Sequence, residues 1–149
     1  MNRQVAFRLA DEALISTAPD ASLLLRPVLA ETFEMMEAPE AQLIARDSGE
    51  VKVYLLHPSG LSITNVRAES PTTGVQWVDL SETTITRQCD EVKGNHSGIW
   101  WQTTWRLIYG QVSEVFVGHE GPQSVDEVER FARAVARAAG WPIAPLVTE

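Results

Sequence analysis

Hydrophobic and polar positions alternate most regularly between Ile99 and Tyr109. Trp101, Thr103, Trp105, Leu107 and Tyr109 share one face, and Trp100, Gln102, Thr104, Arg106 and Ile108 share the other. Period two with aromatic and β-branched residues predicts a strand. Gly110-Gln111, glycine first, predicts a two-residue type II′ hairpin. That turn sets the register, with Tyr109 opposite Val112, Leu107 opposite Glu114 and Trp105 opposite Phe116. Aromatic cross-strand pairs of this kind contribute roughly 0.2–1 kcal/mol each. After turn-forming residues 118–123, Ser124-Val125-Asp126-Glu127 has the form of a capping box. Val128, Phe131, Ala132, Val135 and Ala139 then recur at helical spacing. Glu129 precedes Arg133, and Asp126 precedes Arg130, by one helical turn in the favourable order. Gly140 at C′ and Pro142 beyond it end the helix. The expectation is a helix over 124–139 whose apolar stripe lies on the sheet carrying Trp101 and Trp105.

The earlier chain is less regular. Val5, Leu9 and Ala13 fit a helix face, yet 4–9 also alternates, so 4–15 is compatible with either element. Thr17-Ala18-Pro19-Asp20 is a break. Pro27 is placed as the first residue of a following helix, with Val28, Leu29, Thr32, Phe33 and Met36 as its buried stripe and Pro39 as its end. From Ala41 the period switches to two. Strands are expected over 41–46 and 51–57 around the loop Asp47-Ser48-Gly49-Glu50, over 61–66 after the turn His57-Pro58-Ser59-Gly60, and over 75–80 with Val75 and Trp77 on one face. A polar loop containing Pro71 is expected over 67–74. Residues 83–88 read as a strand from their β-branched content, or as a helical turn capped by Ser81. Residues 89–98 read as a polar loop and 143–149 as a tail.

These elements predict an α+β protein: a strongly curved antiparallel sheet or partly open barrel of about six or seven strands, an N-terminal helical region, and a C-terminal amphipathic helix packed on the sheet. In element order this resembles two architectures. One is the pleckstrin-homology-like barrel closed by a C-terminal helix, and the other is the helix-grip fold. With 81–90 helical, the order would instead resemble the layout of secretion chaperones. Such likenesses of order imply a fold and no activity.

At 149 residues the chain is expected to form one domain over 1–149. Its formal net charge of −8 disfavours nucleic acid and anionic lipid as partners. A single cysteine, Cys89, allows no intramolecular disulfide and suits a reducing, cytoplasmic setting. The start of the chain has no signal-peptide pattern, and no apolar run is long enough to span a membrane. Ten arginines against two lysines suggest a GC-rich bacterial or phage coding sequence.

Candidate chemistry is sparse. Cys89, Asp90 and His96 share a stretch and would make a nucleophilic site if folded together, but their spacing matches no signature. His57, His96 and His119, with Asp90 or Glu120, are too scattered for a dedicated metal site. Asp79, Glu82 and Glu114 would supply carboxylates for acid–base work, and Glu114 would titrate high if buried beside Leu107. Phosphate loops, nucleophile elbows, zinc helices and dinucleotide fingerprints are all missing. No catalytic residue, metal or cofactor is therefore expected.

Two features point to a protein partner. Glu31, Glu34, Glu37 and Glu40 step by three along the chain, and residues 1–50 hold nine acids against four arginines. Trp100 and Trp101 are adjacent and so belong to opposite faces of a strand, which takes one of them out of the main core. The leading expectation is a non-enzymatic binding protein that meets a basic protein surface through the acidic helix face and Trp100. The alternative is a small-molecule carrier or enzyme with an apolar cavity lined by Trp101, Trp105, Leu107 and Phe131. A homodimer formed by strand addition at an exposed sheet edge is a third possibility.

Overall fold

The computed structural model describes residues 1–15, 17–47, 49–67, 69, 72–94, 98–117 and 122–141, with side chains in those ranges except 47, 72, 89–94, 98–102, 117 and 122–125. Among the described residues it shows an α+β arrangement of three helices and seven strands. The strands form two open antiparallel sheets and close into no barrel. The chain divides into two compact units, Met1–Val78 and Asp79–Glu149.

The first unit opens with helix α1 (Arg3–Ala13), which decides the ambiguous N-terminal segment in favour of helix. Asn2 caps it, its side-chain oxygen accepting from the Gln4 amide at 2.8 Å. Helix α2 (Pro19–Glu34) begins eight residues earlier than expected and takes Pro19, not Pro27, into its first turn. Pro27 lies inside the helix. It removes the donor that would serve the Leu23 carbonyl. The helix tolerates this because Leu23 and Pro27 are both exposed, so the freed carbonyl meets water. The buried row is Leu25, Leu29, Ala30 and Phe33; Val28, expected inside, is exposed. Arg26 fastens α2 to α1 through Asp11 at 2.6 Å and covers the Phe7 ring at 4.6 Å.

Four strands follow as a meander: β1 (Ala41–Asp47), β2 (Glu50–His57), β3 (Gly60–Arg67) and β4 (Thr72–Val78). Both expected hairpins form, with Asp47 opposite Glu50 and His57 opposite Gly60. β4 begins at Thr72, inside the span expected to be loop. Ala6, Leu9, Ala10 and Ala13 of α1 join Leu25, Leu29 and Phe33 of α2 over Val53, Leu55 and Val66 of the sheet. Tyr54, Leu56, Leu61 and Ile63, on the other face, are also buried.

The second unit begins with a 3₁₀ turn, Leu80–Glu82, and the strand β5 (Thr83–Gly94). Residues 83–88 are thus strand, and the helical turn lies before them, capped by Asp79 and not by Ser81. Asp79 caps the turn, accepting from the Ser81 amide at 3.0 Å and the Ser81 hydroxyl at 2.7 Å. Residues 89–94, expected as loop, continue β5, because each pairs with a residue of β6 (Gly98–Tyr109). The hairpin to β7 (Val112–Val117) has the predicted register: Tyr109 faces Val112, Leu107 faces Glu114 and Trp105 faces Phe116. Gly110 has φ +58 and no described non-glycine residue has positive φ. That matches the II′ sign pattern and excludes I′.

Helix α3 (Pro122–Ala138) starts two residues before the expected capping box. Pro122, with its fixed φ, therefore opens the helix, and Ser124 lies within it and not at its cap. Val128, Phe131, Ala132 and Val135 are buried as expected. The Phe131 ring meets Phe116 edge-on at 5.5 Å. The helix ends in a Schellman motif: Gly140 (φ +83) donates to Arg137 O, and the Trp141 amide to Ala136 O, both at 3.0 Å. The expected tail, 143–149, lies outside the described residues.

Pro27→Ala should restore the missing helical hydrogen bond on an exposed face. We expect it to raise stability by about 1–2 kcal/mol, less than the full interior-proline penalty because the unfolded chain gains freedom. Urea denaturation checks this; an unchanged or lower midpoint contradicts it.

Candidate functional site

His57 is buried at the end of β2, and both its ring nitrogens are engaged. Nδ1 lies 2.9 Å from the Glu37 carbonyl oxygen and Nε2 lies 2.8 Å from the Ser62 hydroxyl. A carbonyl only accepts, so Nδ1 carries the proton and Ser62 donates to Nε2. This is the hydrogen-bond order of a nucleophile, its base and an orienting group. It is not a reactive one here. Ser62 is wholly buried in mid-strand, which leaves no room for an acyl group above its oxygen. The Trp77 ring lies 5.3 Å from the imidazole. Burial, the larger effect, holds the imidazole below its ordinary value of 6.5, against the Glu37 carbonyl and charge, which pull upward.

In the second unit the carboxylate of Glu129 is the polar centre. It is 2 % exposed, although its spacing to Arg133 reads as a surface ion pair. Oε1 accepts from the Trp105 indole N–H at 2.9 Å and from Arg87 Nε at 3.0 Å. Oε2 accepts from Arg133 Nε at 3.1 Å. Arg87 also lies over the Trp105 ring, 5.4 Å from its centroid. Burial alone would raise the Glu129 carboxyl. Contacts from Thr103, Trp105 and Arg87, with the Arg87 charge, outweigh it and hold the carboxyl below its ordinary 4.5. The Thr103 contact is the loosest, since its buried hydroxyl makes no well-formed hydrogen bond. Glu129 thereby ties α3 to β5 and β6 by charge as well as by packing.

Trp105, Leu107 and Phe131, named as cavity lining, are buried side chains of this core. The recess bordered by Trp105, Leu107, Phe116 and Val135 has no space for even a water molecule. The side chain of Trp101 lies outside the described residues, as does that of Trp100, whose backbone pairs with Val92. Glu114 is buried beside Tyr109. Burial, then the charge and contact of Glu114, push the Tyr109 hydroxyl up to about 12. That contact falls short of a well-aligned hydrogen bond. Asp79 is exposed and held below its usual range by the Ser81 hydrogen bonds of its cap. Glu82 is exposed on the same turn. The backbones of Cys89 and Asp90 sit in β5 opposite Thr103 and Gln102, with their side chains outside the described residues. His96, His119 and Glu120 lie outside them altogether, and the described residues hold no group of three metal-ligating side chains.

The acidic row is exposed throughout but is not one helix face. Glu31 and Glu34 belong to α2, whereas Glu37 and Glu40 follow its end. There the Glu37 carboxylate accepts from Ser59, and the Glu40 amide bonds Leu56 O at 2.7 Å. These bonds turn the chain into β1. Beside the acids the structure exposes what periodicity hid: Leu24 (64 %) and Val28 on α2, Met35 (84 %) at its C-cap, and Val75 and Trp77 (55 %) on β4. The available signal was that α2 is apolar on most sides, a pattern normally reserved for buried helices.

No family model, curated protein or solved structure matches the chain. Among the described residues no helix is long and apolar enough to cross a membrane.

The two buried titrating groups predict separate acid limbs. His57 binds its proton more weakly folded than unfolded, so its stability contribution is complete above pH 6.5 and declines as pH falls below it. Glu129 holds its proton more weakly when folded, so its contribution persists above 4.5 and is lost below that. In chemical denaturation across pH, His57→Gln should flatten the limb just below 6.5. Glu129→Gln should lower neutral-pH stability by about 2–4 kcal/mol and flatten the limb below 4.5. Unaltered limbs in both variants would contradict the assignment.

Proposed function

We propose that this chain is a non-enzymatic cytoplasmic protein that recognises another protein bearing a basic surface, through the outward side of α2 and the acidic residues beside it. The observation carrying this reading is the exposure of Leu24, Val28 and Met35 in one row next to Asp20, Glu31 and Glu34. Exposed apolar residues rimmed by charge mark interaction surfaces, because water gains little from solvating them and a partner's apolar groups replace it. The acids then steer a cationic partner and reject anionic ones. A net charge of −8 acts in the same sense at longer range. The buried state of Ser62, Trp105 and Glu129 supports binding over catalysis, since each spends its polar atoms within the fold.

Affinity capture from the native host at low and moderate salt tests this. The immobilised protein should retain a set of basic proteins that a Glu31→Lys/Glu34→Lys/Glu37→Lys variant of equal stability loses. Capture of nothing, or of the same set by both, defeats the reading.

A further inference from the structure

We infer that the first unit binds an extended basic peptide by strand addition to β4, with the peptide's alternate apolar side chains laid against Val75 and Trp77. This rests on the reading above and gives the partner a conformation.

β4 is the terminal strand of its sheet, and among the described residues it pairs with β3 alone. Four consecutive residues, Gly74, Val75, Gln76 and Trp77, are exposed. In a strand neighbouring side chains belong to opposite faces, so exposure of all four means the edge itself is open. A Cβ placed on Gly74 would meet nothing within 4 Å. An open edge of this kind offers a row of unpaired backbone donors and acceptors.

The exposed apolar residues of β4 share one face. In the ladder Leu55 pairs with Ser62 and Val53 with Thr64, while Ser62 pairs with Trp77 and Thr64 with Val75. Leu55 and Val53 belong to the core formed with α1 and α2, so Val75 and Trp77 lie on the face those helices cover. At 3.6 residues per turn, Leu24, Val28 and Met35 fall within about 40° of one another on α2, with Glu31 and Asp20 just beyond. The opposite flank of α2 carries Arg26, which binds Asp11 and covers Phe7 of α1. The Leu24–Val28–Met35 row lies opposite the buried row Leu25, Leu29 and Phe33 and faces away from the sheet. The site is therefore the edge of β4 itself, with Val75 and Trp77 exposed on it. An open strand edge carrying exposed valine and tryptophan fits an added strand.

Charge selects the occupant. Asp20, Glu31 and Glu34 are exposed on α2, and Glu37 is exposed next to the His57–Trp77 contact. Two copies of a chain with net charge −8 repel each other, whereas a peptide alternating apolar with cationic residues brings apolar groups to Val75 and Trp77 and positive charge to Glu37.

The test titrates the ¹⁵N-labelled full chain with a synthetic end-blocked peptide alternating valine and arginine. Two controls are its glutamate-for-arginine analogue and a version N-methylated at alternate amides. The expected result is chemical-shift change over 72–78 and at Glu37, with amide exchange on alternate β4 residues slowed about ten-fold or more. The glutamate analogue and the N-methylated peptide should not bind. Trp77→Ser should weaken binding about ten-fold and Glu37→Lys about three-fold, on the scale of interface anchors and rim charges. Equal binding of the N-methylated peptide, shifts outside these segments, or a dimer by light scattering with β4 already protected would each overturn the inference. If the peptide fails while charge-dependent capture persists, strand addition falls and the broader reading stands. If both fail, the broader reading falls too.

Discussion

The fold turns on a small event at Asp79. Its side chain accepts from both the amide and the hydroxyl of Ser81, and this closes one 3₁₀ turn where a hairpin would otherwise continue. A meander propagates only if each strand reverses directly onto its predecessor. Here the reversal is spoiled, so β5 does not pair with β4 and a second sheet begins. Seven strands consequently give two open sheets, and β4 is left as an edge.

The two units solve the same packing problem differently. In the first, two helices cover a sheet face through small residues at the α1 contact, Ala6, Ala10 and Ala13, which let the backbones approach closely. Its buried polar side chains include the His57–Ser62 pair, satisfied by the Glu37 carbonyl, and Thr64, whose hydroxyl has no partner. In the second, a single helix covers three strands, and a charged residue stands at the centre of the contact. Burying a carboxylate is costly unless its lone pairs are filled. Glu129 fills them with an indole N–H and two guanidinium groups, two of these from the sheet and one from its own helix. Its geometry admits one helix position, which gives the contact a specificity that alanine and valine packing lacks.

The same comparison explains why the interior is an unpromising place for chemistry. The groups with the right elements for catalysis, a serine beside a histidine and a carboxylate beside two arginines, are saturated by their neighbours and closed to substrate. The surface is less complete. It exposes leucine and methionine on and just after α2, and valine and tryptophan on β4, one of the two edge strands of the first sheet.

Local pattern alone determined a good deal. The alternation of 99–109 and the Gly110-Gln111 turn fixed the last hairpin residue by residue, because side-chain period and turn length leave one register. The stripe from Val128 to Val135 and the glycine at 140 fixed the C-terminal helix and its end, since both are set by contacts within a few residues. Tertiary structure decided the rest. Whether 4–15 is helix or strand, and where α2 begins, depended on a shared alanine-rich core and on water satisfying the carbonyl that Pro27 strands. Glu129 reads as a surface ion-pair partner from its spacing and is buried only because Arg87 and Trp105, far away in sequence, converge on it. Val28 reads as core and is exposed, because the row that α2 buries is Leu25, Leu29 and Phe33, and Val28 lies outside it.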